Sequence, residues 1–519
     1  MGIHFPVSLP WRGRAQSASK RAPMPEKPTR PLSHDLWSAG LVVLALLVIV
    51  LWPGDVSWLM DEPRLIANAW HANHDHELAM GGLYGNFGIR YGPLGTQVYQ
   101  VLLLITHDPF VLIVLHALLC AGITGFALLW LARSLELPGW LVAGVLVSPH
   151  VAAYQRVLWD ASFAMPVGAL ALASFADFLR TQRAWSLRLC VAMSVLIPTI
   201  HPQSLPLAAP ILGWLLWRHR DALWNDRRGL GIVAAVLLVF DGFYFVQFAG
   251  QLLARLGGSV QKGYPGGGSH ALSALAPFLG GRLLSGADYL QTLARPSASA
   301  WLHAAAQGGA LLIYPLTWLG IGAAMREVWR KKFAQLNARQ GVMLVLLAGL
   351  VFQMLLFGAM RIPAAPQYYF GTFALHALAA LLAVDVLRRW RVGVALGTLY
   401  FLGAAFLTVE AAVSIHRYGF ERPQWPTLSS SVNIVHELNR FSDKTARTNN
   451  AVYIKAPQVL RTLRLLLPSS SATAPDTGGR LFITDSVTEL PSDAEAPTGS
   501  QVIDITPLPK NWVPDPGTW

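Results

Sequence analysis

Asp61 and Glu62 stand side by side a few residues beyond the first long apolar segment, Leu41 to Trp52. Adjacent carboxylates just outside a membrane span are costly to place and well suited to proton transfer. A carboxylate there can take the proton of a sugar or protein hydroxyl while a membrane-anchored substrate presents its head group from the bilayer. The plainer alternative is structural. Pro63 follows, and proline is favoured in the first turn of a helix, where acidic residues are stabilised by the macrodipole. The pair therefore also reads as a helix start. A third carboxylate, Asp160, falls at the same expected face, opening the fourth apolar segment. Arg156 lies four residues earlier, one helical turn away and placed to pair with it.

The elements that must position these groups are membrane helices. Of 519 residues, 53% are hydrophobic and 13% charged, against about a quarter charged in an average soluble domain. The apolar residues come in blocks long enough to cross a bilayer as helices, the open structure that satisfies its own backbone in lipid. The reading is an all-α polytopic membrane protein of about eleven transmembrane helices. These lie near 37–53, 110–132, 139–152, 161–178, 187–200, 204–217, 230–249, 301–324, 341–360, 370–387 and 393–415. With the N-terminus inside, nearly every Arg/Lys cluster falls on one side; removing one span would put half of them outside.

The formal charge of +12 is spent on these inner clusters, with no basic stripe interleaved with aromatics, so no nucleic-acid partner is expected. Residues 1–36 read as a disordered basic cytoplasmic lead, 37–415 as the transmembrane catalytic domain, and 416–519 as an external appendage. Within the domain, 54–109 is an external loop carrying interfacial helices, one of them over Thr96 to Ile105. The appendage is read as a small α/β unit, with helix-like stretches near 428–441 and 457–467 and strands at 451–455 and 480–484.

Other features carry less. Cys120 and Cys190 lie in or beside apolar spans and read as core residues. His71, His74, Asp75, His76 and Glu77 tempt a metal assignment, but their spacing spreads them over several helical faces, as at a solvated helix end. Metal dependence, including a divalent cation, is left open. The run Gly263 to Gly268 lacks a Gly-Lys-Ser/Thr ending and is no phosphate loop; it reads as a flexible loop or a lid. Asp241, in the seventh span, is the exception to charges lying at span ends.

The order of motifs resembles a known group. Asp61-Glu62-Pro63-Arg64-Leu65-Ile66-Ala67 looks like the first-loop motif of the GT-C class of lipid-phosphate-dependent glycosyltransferases. Within that class it is most similar to the protein O-mannosyltransferase and lipid A aminoarabinose transferase group. Tyr91-Gly92-Pro93-Leu94 fills the place of that group's Pro-Leu motif, with Tyr91 and Gly92 where many relatives have a basic residue and two prolines. Ser148-Pro149, Tyr154, Arg156 and Asp160 follow the same order, as does Arg361 followed by Gln367-Tyr368-Tyr369.

The resemblance implies transfer of a sugar from a polyprenyl-phosphate donor to a hydroxyl on a glycan, lipid or protein acceptor, at the external face of the inner membrane, with inversion. It implies catalytic roles for Asp61, Glu62 and Asp160, with Asp61 as general base. Arg90, Arg156 and Arg361 would bind the donor phosphate. Arg64, Tyr91, Pro93, Tyr154, His201, Gln203, Tyr368 and Tyr369 would line the substrate cavity. Two alternatives are a transporter or flippase of lipid-linked sugars, and a surface-polysaccharide polymerase or ligase.

Overall fold

The computed structural model describes residues 32–432 apart from 59–60, 85–89, 247–249, 251–279, 290–295, 297, 330–335, 363–364 and 421–426. Further on it describes three short strands. Residues 1–31 of the lead expected over 1–36, the glycine run 263–268, residues 433–441 of the helix expected near 428–441, and the helix expected near 457–467 lie outside the described residues, while residues 32–36 belong to the first helix rather than to a lead.

The described helices, in chain order, begin with α1 (Leu32–Ile49), α2 (Asp61–His74), α3 (Leu94–Ile105), α4 (Pro109–Ser134), α5 (Leu141–Leu146) and α6 (Pro149–Tyr154). Next come α7 (Ala164–Thr181), α8 (Ala184–Ile200), α9 (Leu205–Arg218), α10 (Arg220–Asn225) and α11 (Arg227–Leu237). The set closes with α12 (Gly280–Ser285), α13 (Ala300–Leu311), α14 (Ile313–Trp329), α15 (Ala338–Met360), α16 (Phe373–Leu387) and α17 (Val392–Tyr418). The chain is a multi-pass membrane protein. Among the described residues seven stretches are long and apolar enough to cross a bilayer: Pro109–Ser134, Asp160–Thr181, Arg227–Val246, Ala300–Trp329, Ala338–Met360, Pro366–Leu387 and Val392–Tyr418. The other four expected spans, the first, third, fifth and sixth, are shorter helices or helix pairs.

The expected span over 139–152 is two six-residue helices meeting at Ser148-Pro149. Proline has no N–H to give and its ring clashes with the preceding turn, which disfavours an unbroken helix here, and Pro149 instead opens α6 in its first turn. The break is filled by α12. The Ser148 hydroxyl donates to the Leu283 carbonyl at 2.8 Å, and the Tyr400 hydroxyl donates to the Leu284 carbonyl at 2.9 Å. Gly286, at φ +56°, lies so close to Pro149 that a Cβ would sit 2.5 Å from the proline ring. Only glycine meets both the backbone angle and the space.

The core runs through α7 and α16. Every residue of α16 from Phe373 to Val384 is buried, as is nearly every residue of α7. Small residues bring the helices together, as is common where lipid supplies no hydrophobic drive between them. A Cβ on Gly320 of α14 would fall inside the Ala379 carbonyl of α16. Basic residues near the helix ends are paired with carboxylates and carbonyls. Arg339 reaches Asp385 and Glu327, both at 3.3 Å, and the Leu135 carbonyl at 3.1 Å, while Arg188 clasps Asp226 at 2.6 and 2.8 Å.

The loop expected to be external begins beyond α1, which ends at Ile49, four residues short of the expected Pro53. The last helix, α17, runs to Tyr418, past the expected start of the appendage. The first residues after it fold back: the Leu428 N–H donates to the Val56 carbonyl and the Ser429 N–H to Gly54, both at 3.0 Å. The strands Ala451–Ile454, Arg480–Thr484 and Gln501–Asp504 form a parallel sheet in the order β1-β2-β3. The third strand was not expected from the sequence.

The Gly320 contact makes a stability prediction. Gly320→Ala forces α14 away from the α16 backbone and should cost about 1–3 kcal/mol. Gly322→Ala, two residues on and with no atom within 4 Å of its Cβ position, should cost little. Unfolding midpoints of the two purified variants in detergent check this.

Candidate functional site

A cavity of about 290 Å³ opens at the end of the bundle away from the basic turns. The first loop contributes Asp55, Val56, Ser57, Asp61 and Glu62 to its wall. The broken third span and the residues just after it contribute Pro149, Tyr154, Arg156 and Trp159, and the C-terminal part of α17 contributes Thr408, Ala411, Ala412 and Ile415. Tyr289 and Gln367 complete the polar lining.

Asp61 and Glu62 form the first turn of α2, so the helix-start reading and the cavity reading are both met by the same residues. Glu62 is buried and Asp61 half-buried. Burial pushes the Asp61 carboxyl above the usual carboxylate range, with Arg64 pulling the other way. Arg64 itself is exposed and is absent from the cavity wall, since it lies two residues round the helix from Glu62.

Arg156 is 9% exposed. Its Nη2 donates to the Trp52 carbonyl at 2.5 Å, while its Nε has no hydrogen-bond partner. It does not form the expected one-turn pair with Asp160, because α6 ends at Tyr154 and the chain between is not helical. The carboxylate that supports its charge is Asp55. Asp55 accepts from the His416 ring at 3.0 Å, and that ring stacks on Trp52 at 4.6 Å. Burial raises the Asp55 pKa, against the pull of His416 and Arg156.

Asp160 is near Asp61, close enough for their charges to repel, but it does not open onto the cavity. Trp159 takes that place. Asp160 is 1% exposed, and its oxygens accept the Leu83 N–H at 3.2 Å and the Ala161 N–H at 2.8 Å. Trp159 is extended before the turn begins, which sends the next side chain inward to the backbone of the 82–84 segment.

The remaining expected residues divide. Tyr154 lines the cavity, its hydroxyl 3.5 Å from Gln367 Oε1 and its ring against Phe370 at 4.8 Å. Phe370 in turn meets the His201 ring at 6.2 Å, and His201 meets Tyr91 at 6.4 Å. Tyr91 and His201 thus meet behind the aromatic row, and Tyr91, Pro93, His201 and Gln203 are all off the cavity wall. Tyr368 and Tyr369 are buried, Tyr369 against Phe357 and His376. Arg90 donates to the Gly82 carbonyl at 3.1 Å and covers the Tyr84 ring; it is not on the wall. Arg361 caps α15 in the left-handed conformation and is exposed, away from the cavity. Sequence reasoning missed Asp55, Tyr289 and the Arg282–Asp288–His150 relay. Asp288 takes the His150 ring at 3.0 Å and Arg282 Nε at 2.6 Å. Burial works to raise the Asp288 pKa, but these two partners win and hold it well below the carboxylate range. No group of three or more His, Cys, Asp and Glu placed to hold a metal occurs among the described residues.

No family model and no curated protein matches this chain. Among solved structures it is similar to ArnT from Cupriavidus metallidurans bound to undecaprenyl phosphate, at 14% identity over 87% of this chain and 86% of that one, TM-score 0.44. The apo state of the same protein gives 13% identity, the same coverage and TM-score 0.47. The arabinofuranosyltransferase AftD from mycobacteria gives 12% identity over 81% of this chain but 29% of that one, TM-score 0.36.

The relay beside the cavity yields a prediction. Asp288→Ala strands the ring of His150, 4% exposed, and should cost about 1–3 kcal/mol. Adding His150→Phe should recover part of that loss, since the stranded polar group is then gone. Thermal unfolding of the single and double variants distinguishes this from a general loosening.

Proposed function

We propose that this protein is a glycosyltransferase that moves a sugar from a polyprenyl-phosphate donor to a hydroxyl acceptor. The observation that carries the reading is the meeting of Asp61 and Glu62 with the buried, partly unpartnered guanidinium of Arg156 around one cavity. These are the residues of the first-loop motif and of the motif after the Ser-Pro break. Carboxylate and guanidinium are the two charges that such a transfer needs.

The chemistry distributes as follows. Asp61 takes the proton of the acceptor hydroxyl as its oxygen attacks the anomeric carbon. The new carbon–oxygen bond forms as the bond to the donor phosphate breaks, and the electron pair leaves on polyprenyl phosphate. One displacement inverts the anomeric configuration. Arg156, fixed by Trp52 and freed at Nε, is suited to the departing phosphate, where preorganised donors act most strongly. Asp160 sits behind Asp61 and positions it, through its charge and through its hold on the 82–84 backbone. The acceptor is a glycan, lipid or protein. The protein sits in the inner membrane, with its N-terminus cytoplasmic and its cavity facing out.

Asp61→Asn should lower the transfer rate by roughly 10²–10⁴-fold, measured with purified protein, a radiolabelled polyprenyl-phosphate sugar and a membrane extract. Asp61 must be ionised to act and its pKa is raised, so wild-type activity should fall with falling pH sooner than an ordinary carboxylate would dictate. Transfer by the Asn variant at the wild-type rate would remove Asp61 from the role of base. Passage of sugar lipid across vesicles with no transfer would favour the transporter.

A further inference from the structure

The membrane-length stretch Arg227–Val246, the seventh of the spans expected from the sequence, contains a π-helical turn, Leu238–Gly242, and the turn carries Asp241. Such turns widen a helix locally and recur at functional sites. Asp241 is 3% exposed. Its Oδ2 lies 3.1 Å from the Thr199 hydroxyl, which is shared with the Leu196 carbonyl at 2.8 Å. Its Oδ1 is buried with no hydrogen-bond partner. His201, two residues past Thr199, is a second orphan: it is 2% exposed and its Nδ1 is unpartnered. Buried polar atoms are rarely left unpaired, because each forfeits its hydration.

These groups back onto the Tyr91-Gly92-Pro93 turn. The Gly92 N–H donates to the Thr199 carbonyl at 2.7 Å, and the Tyr244 hydroxyl donates to the Arg90 carbonyl at 2.7 Å. A Cβ on Gly92 would lie 2.8 Å from Thr199 Oγ1. A Cβ on Gly82 would lie 2.8 Å from the Gly92 carbonyl and 3.0 Å from Asp160 Oδ2. Asp241 and Asp160 are thus linked through Thr199 and two glycines, and therefore through backbone that no side chain widens.

We propose that Asp241, with Thr199 and His201, is a subsite for the hydroxyl groups of the sugar carried by the lipid-linked substrate; this rests on the glycosyltransferase reading above. A carboxyl oxygen without a partner takes a donor, and an imidazole nitrogen gives or takes according to its tautomer. A sugar hydroxyl does both at once. A phosphate would be repelled by Asp241, and no metal-holding group of three or more ligands lies among the described residues.

The test uses the full chain in nanodiscs. Its ligands are undecaprenyl phosphate, bare or carrying glucose, mannose or arabinose, and binding is read by thermophoresis. The wild type should bind at least one sugar lipid more tightly than the bare lipid. Asp241→Asn should lose roughly tenfold or more of that advantage, as for a hydrogen bond to a charged group, and bind the bare lipid as before. Thr199→Val, which removes one hydroxyl and no charge, should lose part of it and serves if the first variant does not fold. An unchanged sugar advantage in a folded Asp241→Asn or Thr199→Val variant would overturn the subsite, as would a wild type that binds every sugar lipid no better than the bare one. A wild type that binds no polyprenyl phosphate at all removes the glycosyltransferase reading itself, and the subsite with it.

Discussion

The backbone in a bilayer must satisfy its own hydrogen bonds, and a helix broken at membrane depth survives only where protein fills the gap. The Ser148-Pro149 break is the point where this constraint shapes the molecule. The segment from α12 to Gly286 closes it by placing two carbonyls against Ser148 and Tyr400 and a glycine against the proline ring. The break then turns α6 and the residues after it across the bundle end. Tyr154, Arg156 and Trp159 face the first loop there, and a cavity exists between them.

The same break decides the electrostatics. Buried charges are tolerated when paired and hydrogen-bonded. Arg156 meets this through the Trp52 carbonyl and the nearby Asp55, and Asp55 through His416. The ring of His416 stacks on Trp52, so one small knot joins the start of the first loop to the end of the last helix. Residues 427–429 add backbone pairs to the same loop. The carboxylates of Asp61 and Glu62 are held at the opposite side of this knot by the first turn of α2. Opposite charges therefore face one space without neutralising each other outright.

Much of this was legible along the chain. Apolar length marked most of the helices, because it is a property of contiguous sequence. The sites of the turns at Ser148-Pro149 and His201-Pro202 were marked by proline. The Asp61-Glu62 pair was readable as a helix start for the same reason. The separation of Arg156 from Asp160 was not readable, since a spacing of four matters only if the residues between are helical. Arg361 and Arg90 are basic, polar-flanked and close in sequence to plausible site residues. Their exposure or backbone partners depend on how helix ends are capped in three dimensions.

Sequence by itself determined the membrane class and the approximate positions of most helices, because hydropathy and proline act locally. Tertiary structure decided which groups share a space. Asp55, His416, Tyr289 and Arg156 come from distant parts of the chain and meet through packing around a break. Asp160 and Asp241 turn away from the cavity toward backbone and buried hydroxyls. Distances of that kind are set by how helices pack, and contacts between residues 361 positions apart, such as Asp55 and His416, leave no local pattern.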